Sequence, residues 1–382
     1  MHFEPHLSPA RNSAMRSADR TTTRRSFTIA GVKTWDVIII GGGIIGIALA
    51  IALRKRGATV LVVERGEPGR EASHAAGGML VDCPLETPAV LQSLATASAR
   101  MYPEFAHELE VESGMKVDLR DEGTILFPDP HHADECERIG LAAAKPRELE
   151  PELAETQGGA FYLHERSVDP RALTAAALKA AKNRGVDFSS GDAVTAVNLS
   201  DNQITGVSTT KTSFRADKVV NCAGAWAGQV GPQAFPTRPV KGQMLCLVMP
   251  SRTLLRHVIR SPKAYLIPRS DGRLLVGATV EEAGFDKRTN PATIQGLHRA
   301  ALELVPKLRD AKILEDWAGL RPGTPDALPI LGATATPGYY VATGHFRDGI
   351  LLAPITAEVM AAVIDGRRPE HDLTPFSPER FL

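Results

Sequence analysis

The sequence predicts an α/β fold in which a Rossmann-type dinucleotide-binding domain is joined to a second, mainly antiparallel-sheet domain. Residues 36–40 and 59–63 are short β-branched runs, typical of strands buried on both faces, and a helix-like segment separates them. Between residues 236 and 315 the pattern changes to alternating strands and a hairpin. After residue 316 the first pattern returns, so we expect one domain to be built from separated segments.

Length, charge and cysteine content limit the functional class. The chain has 382 residues, with 44 Lys and Arg against 44 Asp and Glu, and this balance argues against a nucleic-acid binder. Apolar residues at 43% and charged residues at 23% are typical of a globular protein, and the length suggests two domains. The 4 cysteines lie far apart without a C-x-x-C pair, which favours a reducing cytoplasm.

The N-terminal segment is polar and arginine-rich, and we predict a disordered extension over residues 1–33. Residues 23–27 resemble a twin-arginine export signal, but the apolar stretch that follows spans only residues 27–32, against about 7–15 in a working signal. Whether the mature protein keeps this segment stays open. The uncharged run 37–53 is shorter than the ~20 residues of a membrane span, and glycines interrupt it.

The first strand–helix–strand unit is predicted at residues 36–63. Its helix spans 44–56 and ends at Gly57, the residue type favoured just beyond a helix C-terminus. Apolar residues at helical spacing predict another helix over 88–112. Asp169 and Pro170 are typical of a helix start, and Gly185 is typical of its end.

The remaining elements complete the two domains. Residues 218–222 form a strand that runs into a glycine turn, and 338–344 repeat that pattern before a helix over 354–364. Asp271-Gly272 predicts a hairpin between 265–269 and 273–277. We therefore assign 34–85, 150–232 and 316–382 to the dinucleotide-binding domain, and 86–149 and 233–315 to a substrate domain.

Gly41-x-Gly43-x-x-Gly46 lies between the first strand and its helix, and Glu64 ends the second strand. The glycines allow backbone N–H groups to approach a pyrophosphate, and the acid can accept hydrogen bonds from an adenosine ribose. The segment 70–80 is rich in Gly and Ala, which suits a close approach to a second large group such as a flavin, or a plain loop.

The motifs together resemble the D-amino-acid oxidase family of FAD-dependent oxidoreductases. The resemblance is carried by residues 41–46, Glu64-Arg65 and 73–80, and more specifically by 239–243, 265–269, 317–324 and 344–354, so that it spans about 35–368. It implies a glutathione-reductase-like FAD domain and non-covalent FAD, because no cysteine lies in the C-terminal motifs. The implied cofactor-binding residues are Gly41, Gly43, Ile44, Ile45, Gly46, Glu64, Arg65, Ala72, Ser73, Gly77, Gly78, Met79, Val194, His345, Phe346, Arg347, Asp348, Gly349, Ile350 and Leu351.

Three side chains are expected to bind the substrate. Arg321 lies among Gly, Pro and Trp, where a rigid planar guanidinium would suit bidentate capture of a carboxylate, although a structural ion pair is the alternative. The resemblance implies that Tyr265 donates to the same carboxylate and that Arg347 lies near flavin and substrate. We expect residues 345–351 to open the last helix, either facing the flavin with backbone N–H groups or capped by Asp348. Val280 is a further candidate for the pocket wall.

The implied reaction oxidises glycine or another small amino acid, such as sarcosine or D-alanine, to an imine that hydrolyses to a keto acid and ammonia. Dioxygen would yield hydrogen peroxide, in the thiazole branch of thiamine synthesis, and the resemblance implies a homotetramer. His74 and His345 are isolated, so we assign no residue as general acid or base, and no metal-ligand cluster is expected. The alternatives are a D-amino-acid dehydrogenase passing electrons to a quinone, a flavin binder without turnover and, less favoured, a nicotinamide dehydrogenase.

Overall fold

The computed structural model describes residues 33–155 and 159–381. The predicted N-terminal extension lies, up to residue 32, outside the described residues. Within them the strands are β1 (Thr34–Trp35), β2 (Val37–Ile40), β3 (Val60–Glu64), β4 (Met79–Leu80), β5 (Leu119–Arg120), β6 (Thr124–Leu126), β7 (Ala142–Ala144), β8 (Ala160–Leu163), β9 (Arg166–Val168), β10 (Asp187–Ser190), β11 (Val194–Ser200), β12 (Gln203–Thr209), β13 (Ser213–Ala216), β14 (Val219–Asn221), β15 (Arg238–Val248), β16 (Val258–Arg260), β17 (Tyr265–Pro268), β18 (Arg273–Gly277), β19 (Lys312–Gly323), β20 (Ile330–Ala333) and β21 (Tyr339–Thr343). The α-helices are α1 (Ile44–Lys55), α2 (Ala72–Ala75), α3 (Gln92–Ser113), α4 (Ala133–Arg138), α5 (Pro146–Leu149), α6 (Pro170–Asn183), α7 (Pro291–Leu304) and α8 (Ala353–Ile364).

A six-stranded sheet in the order β10-β3-β2-β14-β21-β20 forms the predicted dinucleotide-binding half. Its first five strands are parallel, and β20 pairs antiparallel with β21 at one edge. All residues of β2 and β3 are buried, as their β-branched sequences predict. β2 lies between β3 and β14, and the carboxyl ends of these three strands form the edge at which parallel sheets of this kind bind their ligands.

Two layers cover this sheet. Helices α1, α3, α6 and α8 share one hydrophobic core with β2 and β3. On the other face, Ile38 and Leu61 pack with residues of the four-stranded sheet β1-β13-β12-β11, including Val207. Asp169 caps α6 as predicted, because its side chain accepts from the backbone N–H of Arg171 at 2.8 Å and of Ala172 at 3.3 Å.

An eight-stranded sheet in the order β19-β15-β18-β17-β16-β6-β8-β7 forms the second half. Its neighbours are antiparallel except for β16 and β6, which run parallel. The predicted hairpin joins β17 to β18, and Gly272 in its turn has a φ of +94°. Helix α7 packs on one face of the sheet through Ile294 and Leu297. These features confirm the predicted fold class.

The exact segments of the two predicted domains stay a prediction, and three elements pack differently from it. Helix α3, placed with the substrate domain, lies in the core of the parallel-sheet half. β8 and β19, placed wholly or partly with the dinucleotide-binding domain, pair within the eight-stranded sheet. The reason is that periodicity indicates that a helix or strand buries one face, but not against which neighbour. No helix in the described parts of the chain is long and apolar enough to cross a membrane.

Candidate active site

One cavity of about 640 Å³ opens at the carboxyl ends of β2, β3 and β14 and extends beneath β15, β17 and β19 of the larger sheet. This volume lies in the usual range of small-molecule and cofactor sites. The cavity therefore lies at the crevice where parallel sheets bind their ligands, with its far wall supplied by the antiparallel sheet.

The glycine turn after β2 forms the first wall. Gly41 has a φ of +109°, and a Cβ there would stand 2.4 Å from the carbonyl oxygen of Cys222. A Cβ on Gly46 would stand 2.1 Å from the carbonyl oxygen of Gly41, so this glycine permits close packing of α1 on the turn. Gly43 begins α1 without a side-chain cap. The positive end of the helix therefore points at the cavity, as a pyrophosphate site requires.

Glu64 lies at the end of β3 and lines the cavity. Its carboxylate accepts from the backbone N–H groups of Gly42 at 2.8 Å and Gly66 at 2.9 Å. These bonds hold the buried acid in one orientation, while each oxygen retains further acceptor capacity. The geometry is that of an acid positioned to receive ribose hydroxyls.

The Gly/Ala-rich segment begins with the short helix α2 and then extends along the cavity. The hydroxyl of Ser73 accepts from the backbone N–H of Ile44 at 2.9 Å, which ties α2 to the start of α1. Gly78 has a φ of +77°, and a Cβ there would stand 2.0 Å from the carbonyl oxygen of Val168. The fully buried Arg269 donates to the carbonyl of Gly77. The backbone of this segment is therefore fixed where it faces the cavity.

Arg321 and Tyr265 project from the larger sheet into the same cavity. The Nη1 of Arg321 donates to the carbonyl oxygen of Thr279 at 3.0 Å, and the guanidinium lies over Gly242, where a Cβ would stand 2.4 Å from Nη1. The hydroxyl of Tyr265 contacts the sulfur of Met244 at 3.3 Å. Burial raises the pKa of Tyr265, so the phenol stays protonated and can donate at neutral pH.

Arg347 lies at the mouth of the cavity, and Glu86 holds it there. The ion pair between Arg347 Nη2 and Glu86 measures 3.1 Å, and Glu86 also accepts from the buried Arg260. Arg260 in turn pairs with Glu165 at 2.7 Å. The mouth of the cavity is thus connected by a chain of charged side chains to the interior of the eight-stranded sheet.

The loop over 344–352 differs from the expected helix start. Helix α8 begins at Ala353, with Leu352 as its N-cap, so Asp348 does not cap it. Positive φ angles at Gly344 and Phe346 exclude helical backbone at these two positions. Two bonds from α3 hold the loop instead: Ser98 donates to the carbonyl of Leu351 at 2.6 Å, and Tyr102 donates to that of Ile350. Burial lowers the pKa of His345 to about 3 and raises that of Asp348 to about 6.

The cavity brings together most of the residues singled out from the sequence. Tyr265, Arg321 and Arg347 line it, as do the predicted cofactor residues Gly41, Gly43, Ile44, Ile45, Glu64, Arg65, Ala72, Ser73, Gly77, Gly78, Met79, Val194, His345, Phe346, Asp348, Gly349 and Ile350. Gly46 and Leu351 do not line the cavity. Gly46 packs against the carbonyl oxygen of Gly41, and the carbonyl of Leu351 accepts a hydrogen bond from Ser98, so both lie behind the wall. Val280 is 67% exposed and lies outside the wall, contrary to expectation.

Several lining residues were missed from the sequence, notably Trp226, Met244, Gly242 and Glu86. Trp226 could have been found, because it follows a buried parallel strand and a glycine turn, where ligands of such sheets bind. Gly242 lies in the segment 239–243 that carries the family resemblance but was not singled out as a site residue, and Glu86 carried no comparable signal. Among the described residues, no group of three or more His, Cys, Asp or Glu is placed to hold a metal ion.

The cavity fits an elongated dinucleotide. Its lining supplies a helix start with glycine at the N-cap, an oriented acid at the end of the second strand, and glycines at which an added Cβ would clash with neighbouring atoms. At the other end, Tyr265 and Arg321 form a small polar corner below the Gly/Ala-rich segment. The cavity therefore has room for a nucleotide at one end. At the other end it has room for a reactive ring beside the corner formed by Tyr265 and Arg321, which we call the anion-binding corner.

Comparison with known proteins agrees with this geometry. The family model described as FAD dependent oxidoreductase matches residues 36–363. The chain is 34% identical to a glycine oxidase of Geobacillus kaustophilus over 368 residues, covering 91% of this chain and 97% of that protein. The crystal structure of glycine oxidase from the same organism superposes with a TM-score of 0.87 at 33% identity, covering 91% of this chain and 99% of that one.

A second group of relatives is longer. The chain is 39% identical over 359 residues to the bifunctional protein ThiO/ThiG of Synechocystis sp., and the match covers 91% of this chain and 54% of the relative. The chain therefore spans about half the length of these relatives.

Proposed function

We propose, from the premise that this chain belongs to the FAD dependent oxidoreductase family, that it oxidises glycine or a similarly small amino acid. FAD is the cofactor of the family, and the lining of the cavity fits it. The observation that carries the proposal is the anion-binding corner: Arg321 and Tyr265 lie together on the wall opposite the nucleotide turn. The similarity to glycine oxidases over 97% of the Geobacillus relative supports glycine as the substrate.

The chain's own residues bind and orient the substrate. The guanidinium of Arg321 presents a planar fork to a carboxylate, and its bond to the carbonyl of Thr279 restricts its rotation. Tyr265, protonated because burial raises its pKa, donates to the same carboxylate. Fixing the acid end of so small a molecule also fixes the direction of its α-carbon, which is the main contribution that orientation makes to such a reaction.

FAD would be held by the turn around Gly41 and Gly43, by Glu64 and by the segment from Ala72 to Met79. Bound there, FAD would supply the two-electron acceptor for the hydride of the substrate's α-carbon, with dioxygen as the terminal acceptor that is reduced to hydrogen peroxide. The resulting imine is hydrolysed by water to the keto acid and ammonia. No residue is assigned as general acid or base, since the neutral amine needs only to be positioned. We infer non-covalent FAD, because burial raises the pKa of the lining Cys222 thiol and keeps it unreactive.

The cellular setting is part of the proposal. The relatives named ThiO/ThiG support a role in supplying the thiazole branch of thiamine synthesis. All four cysteines are buried and unpaired, which suits a reducing cytoplasm. Dioxygen as the electron acceptor and a homo-oligomeric state are proposed by resemblance.

The direct test is anaerobic reduction of the purified holoenzyme by a panel of glycine, sarcosine and D-alanine, followed at the flavin absorbance. We expect rapid bleaching by glycine and peroxide formation when air is admitted. Turnover that needs a dye or quinone and gives no peroxide would instead support the D-amino-acid dehydrogenase. An unchanged flavin spectrum would support a cofactor with a purely structural role.

The carboxylate site is tested by Arg321→Ala. Loss of charge-assisted bonds of about 1.5–3 kcal/mol each should raise the KM for glycine by roughly 100-fold while FAD stays bound. Arg309→Ala, at an exposed arginine outside the cavity, is the matched control and should behave as the wild type. Loss of the yellow colour from Arg321→Ala alone would contradict a role in substrate binding.

A further inference from the structure

A loop of the larger sheet reaches the nucleotide end of the cavity. We define the cover loop as residues 278–290, which connect β18 to α7. Reciprocal backbone hydrogen bonds of 2.9 Å between Lys241 and Glu281 anchor it to β15, and Lys241 Nζ donates to the carbonyl oxygen of Arg288 at 2.5 Å. Both ends of the loop are therefore attached to the larger sheet, while its middle is free to contact the other half of the molecule.

The middle of the cover loop completes a three-membered stack. The guanidinium of Arg65 lies 3.4 Å from the ring centroid of Trp226. The ring of Phe285 stacks on Trp226, with centroids 5.1 Å apart and an interplanar angle of 27°. Arg65 and Trp226 line the cavity, whereas Phe285 lies outside its wall and is 42% exposed. Phe285 thus supports the wall from outside.

An ion pair runs alongside the stack. Glu71, which also lines the cavity, pairs with Arg65 at 2.9 Å and with Lys287 of the cover loop at 3.1 Å. The side chain of Lys287 is 47% exposed, so solvent weakens this bond. The aromatic contact of Phe285 should therefore contribute more than the charge of Lys287.

The position of the stack shows which part of the ligand it borders. Arg65 directly follows Glu64, and the acid at the end of the second strand is the one that meets the adenosine ribose in folds of this kind. The anion-binding corner of Tyr265 and Arg321 is the substrate end of the cavity. The cover loop therefore closes on the adenosine end of the cofactor.

We propose that Phe285 and Lys287 of the cover loop retain FAD by bracing Trp226, Arg65 and Glu71 over its adenosine end. Removing the Phe285 ring leaves Trp226 without its outer partner, so the wall loosens and FAD leaves faster. The inference concerns retention of the cofactor and does not depend on which amino acid is oxidised.

The test is the release of FAD from the diluted holoenzyme, followed by the recovery of flavin fluorescence and without any amino acid present. Phe285→Ala should release FAD about tenfold faster than the wild type. Lys287→Gln should change the rate by less than about threefold. The control is Val280→Ala, in the same loop at a side chain that is 67% exposed and outside the stack, and it should release FAD at the wild-type rate.

Release from Phe285→Ala at the wild-type rate would overturn the proposal, and so would equal acceleration in Val280→Ala, which would indicate general loosening of the loop. If Phe285→Ala does not fold, Phe285→Leu keeps apolar bulk without the ring, and the same criteria apply to it. Failure of glycine to reduce the flavin of the wild-type holoenzyme would refute the proposed substrate and leave the retention result intact.

Discussion

Gly242 allows a test of how Arg321, the residue proposed to bind the substrate carboxylate, is held in position. A Cβ at this position would stand 2.4 Å from Nη1, 2.5 Å from Nη2 and 2.6 Å from Cζ of Arg321. Ordinary contact begins at 3.4 Å, so in Gly242→Ala the guanidinium must retreat by about 1 Å. This movement would break the 3.0 Å hydrogen bond from Arg321 to the carbonyl oxygen of Thr279 and rotate the guanidinium away from its present orientation.

The size of the effect follows from the bonds that are lost. A hydrogen bond between charged partners contributes about 1.5–3 kcal/mol, which corresponds to a rise in KM of about 10- to 100-fold for glycine. Misplacement of about 1 Å can lower the rate of the chemical step by a further factor of about 100. Binding of FAD should be unchanged, because the nucleotide turn lies on the other sheet.

The assay is steady-state oxidation of glycine, with the flavin absorbance per chain recorded for each variant. Gly296→Ala is the matched control, because a Cβ there meets nothing within 4 Å and the exposed helix position should gain about 0.5–1 kcal/mol of stability. A KM and kcat within twofold of the wild type in Gly242→Ala would refute the seating of Arg321 on this glycine. Loss of flavin would show instead that Gly242 contacts the cofactor.

Two further predictions concern the cofactor wall. Gly46→Ala places a Cβ 2.1 Å from the carbonyl oxygen of Gly41, so we expect a loss of about 1–3 kcal/mol of stability and less FAD per purified chain, measured by thermal unfolding and absorbance. Burial lowers the pKa of His345 to about 3, so between pH 6.5 and 3 the unfolded chain binds a proton that the folded chain does not, and stability falls as the pH falls. At pH 4 the cost is about 3 kcal/mol, and His345→Gln should show a shallower decline of the thermal midpoint from pH 6.5 to 4; an equal decline would refute the assignment.

The parallel-sheet half could be predicted from the sequence because its signals are local. The β-branched runs of β2 and β3, the glycine turn and Glu64 each follow from backbone requirements within one strand–helix–strand unit. The Asp-Gly hairpin is equally local. These are features for which neighbours in sequence are also neighbours in space.

The rest of the site depends on contacts between distant segments. Arg321 was found through its resemblance to a family motif. Gly242 lies in another segment of that resemblance, 239–243, but its contact with Arg321 was not predicted because the two residues come from different strands. The helix over 354–364 was predicted to within one residue of α8, but the cap by Asp348 was not found, because the loop before the helix is shaped by tertiary contacts such as the bond from Ser98 to the carbonyl of Leu351. Trp226 was missed because its stacking partner Phe285 lies 59 positions away in the chain.

The contacts of strand β19 limit which of its residues can be substituted during evolution. The strand carries Arg321 near its end and contacts α2 through Trp317 and Gly319. Trp317 donates to the carbonyl oxygen of Ala75 at 3.1 Å, and a Cβ on Gly319 would stand 2.3 Å from the Cβ of Ala75. Under the proposed function, substitutions on β17 could change the preference among amino acids with little disturbance to the nucleotide turn. A substitution at Gly319 would disturb the larger sheet and α2 together, so we expect residues 317–321 to tolerate the fewest substitutions.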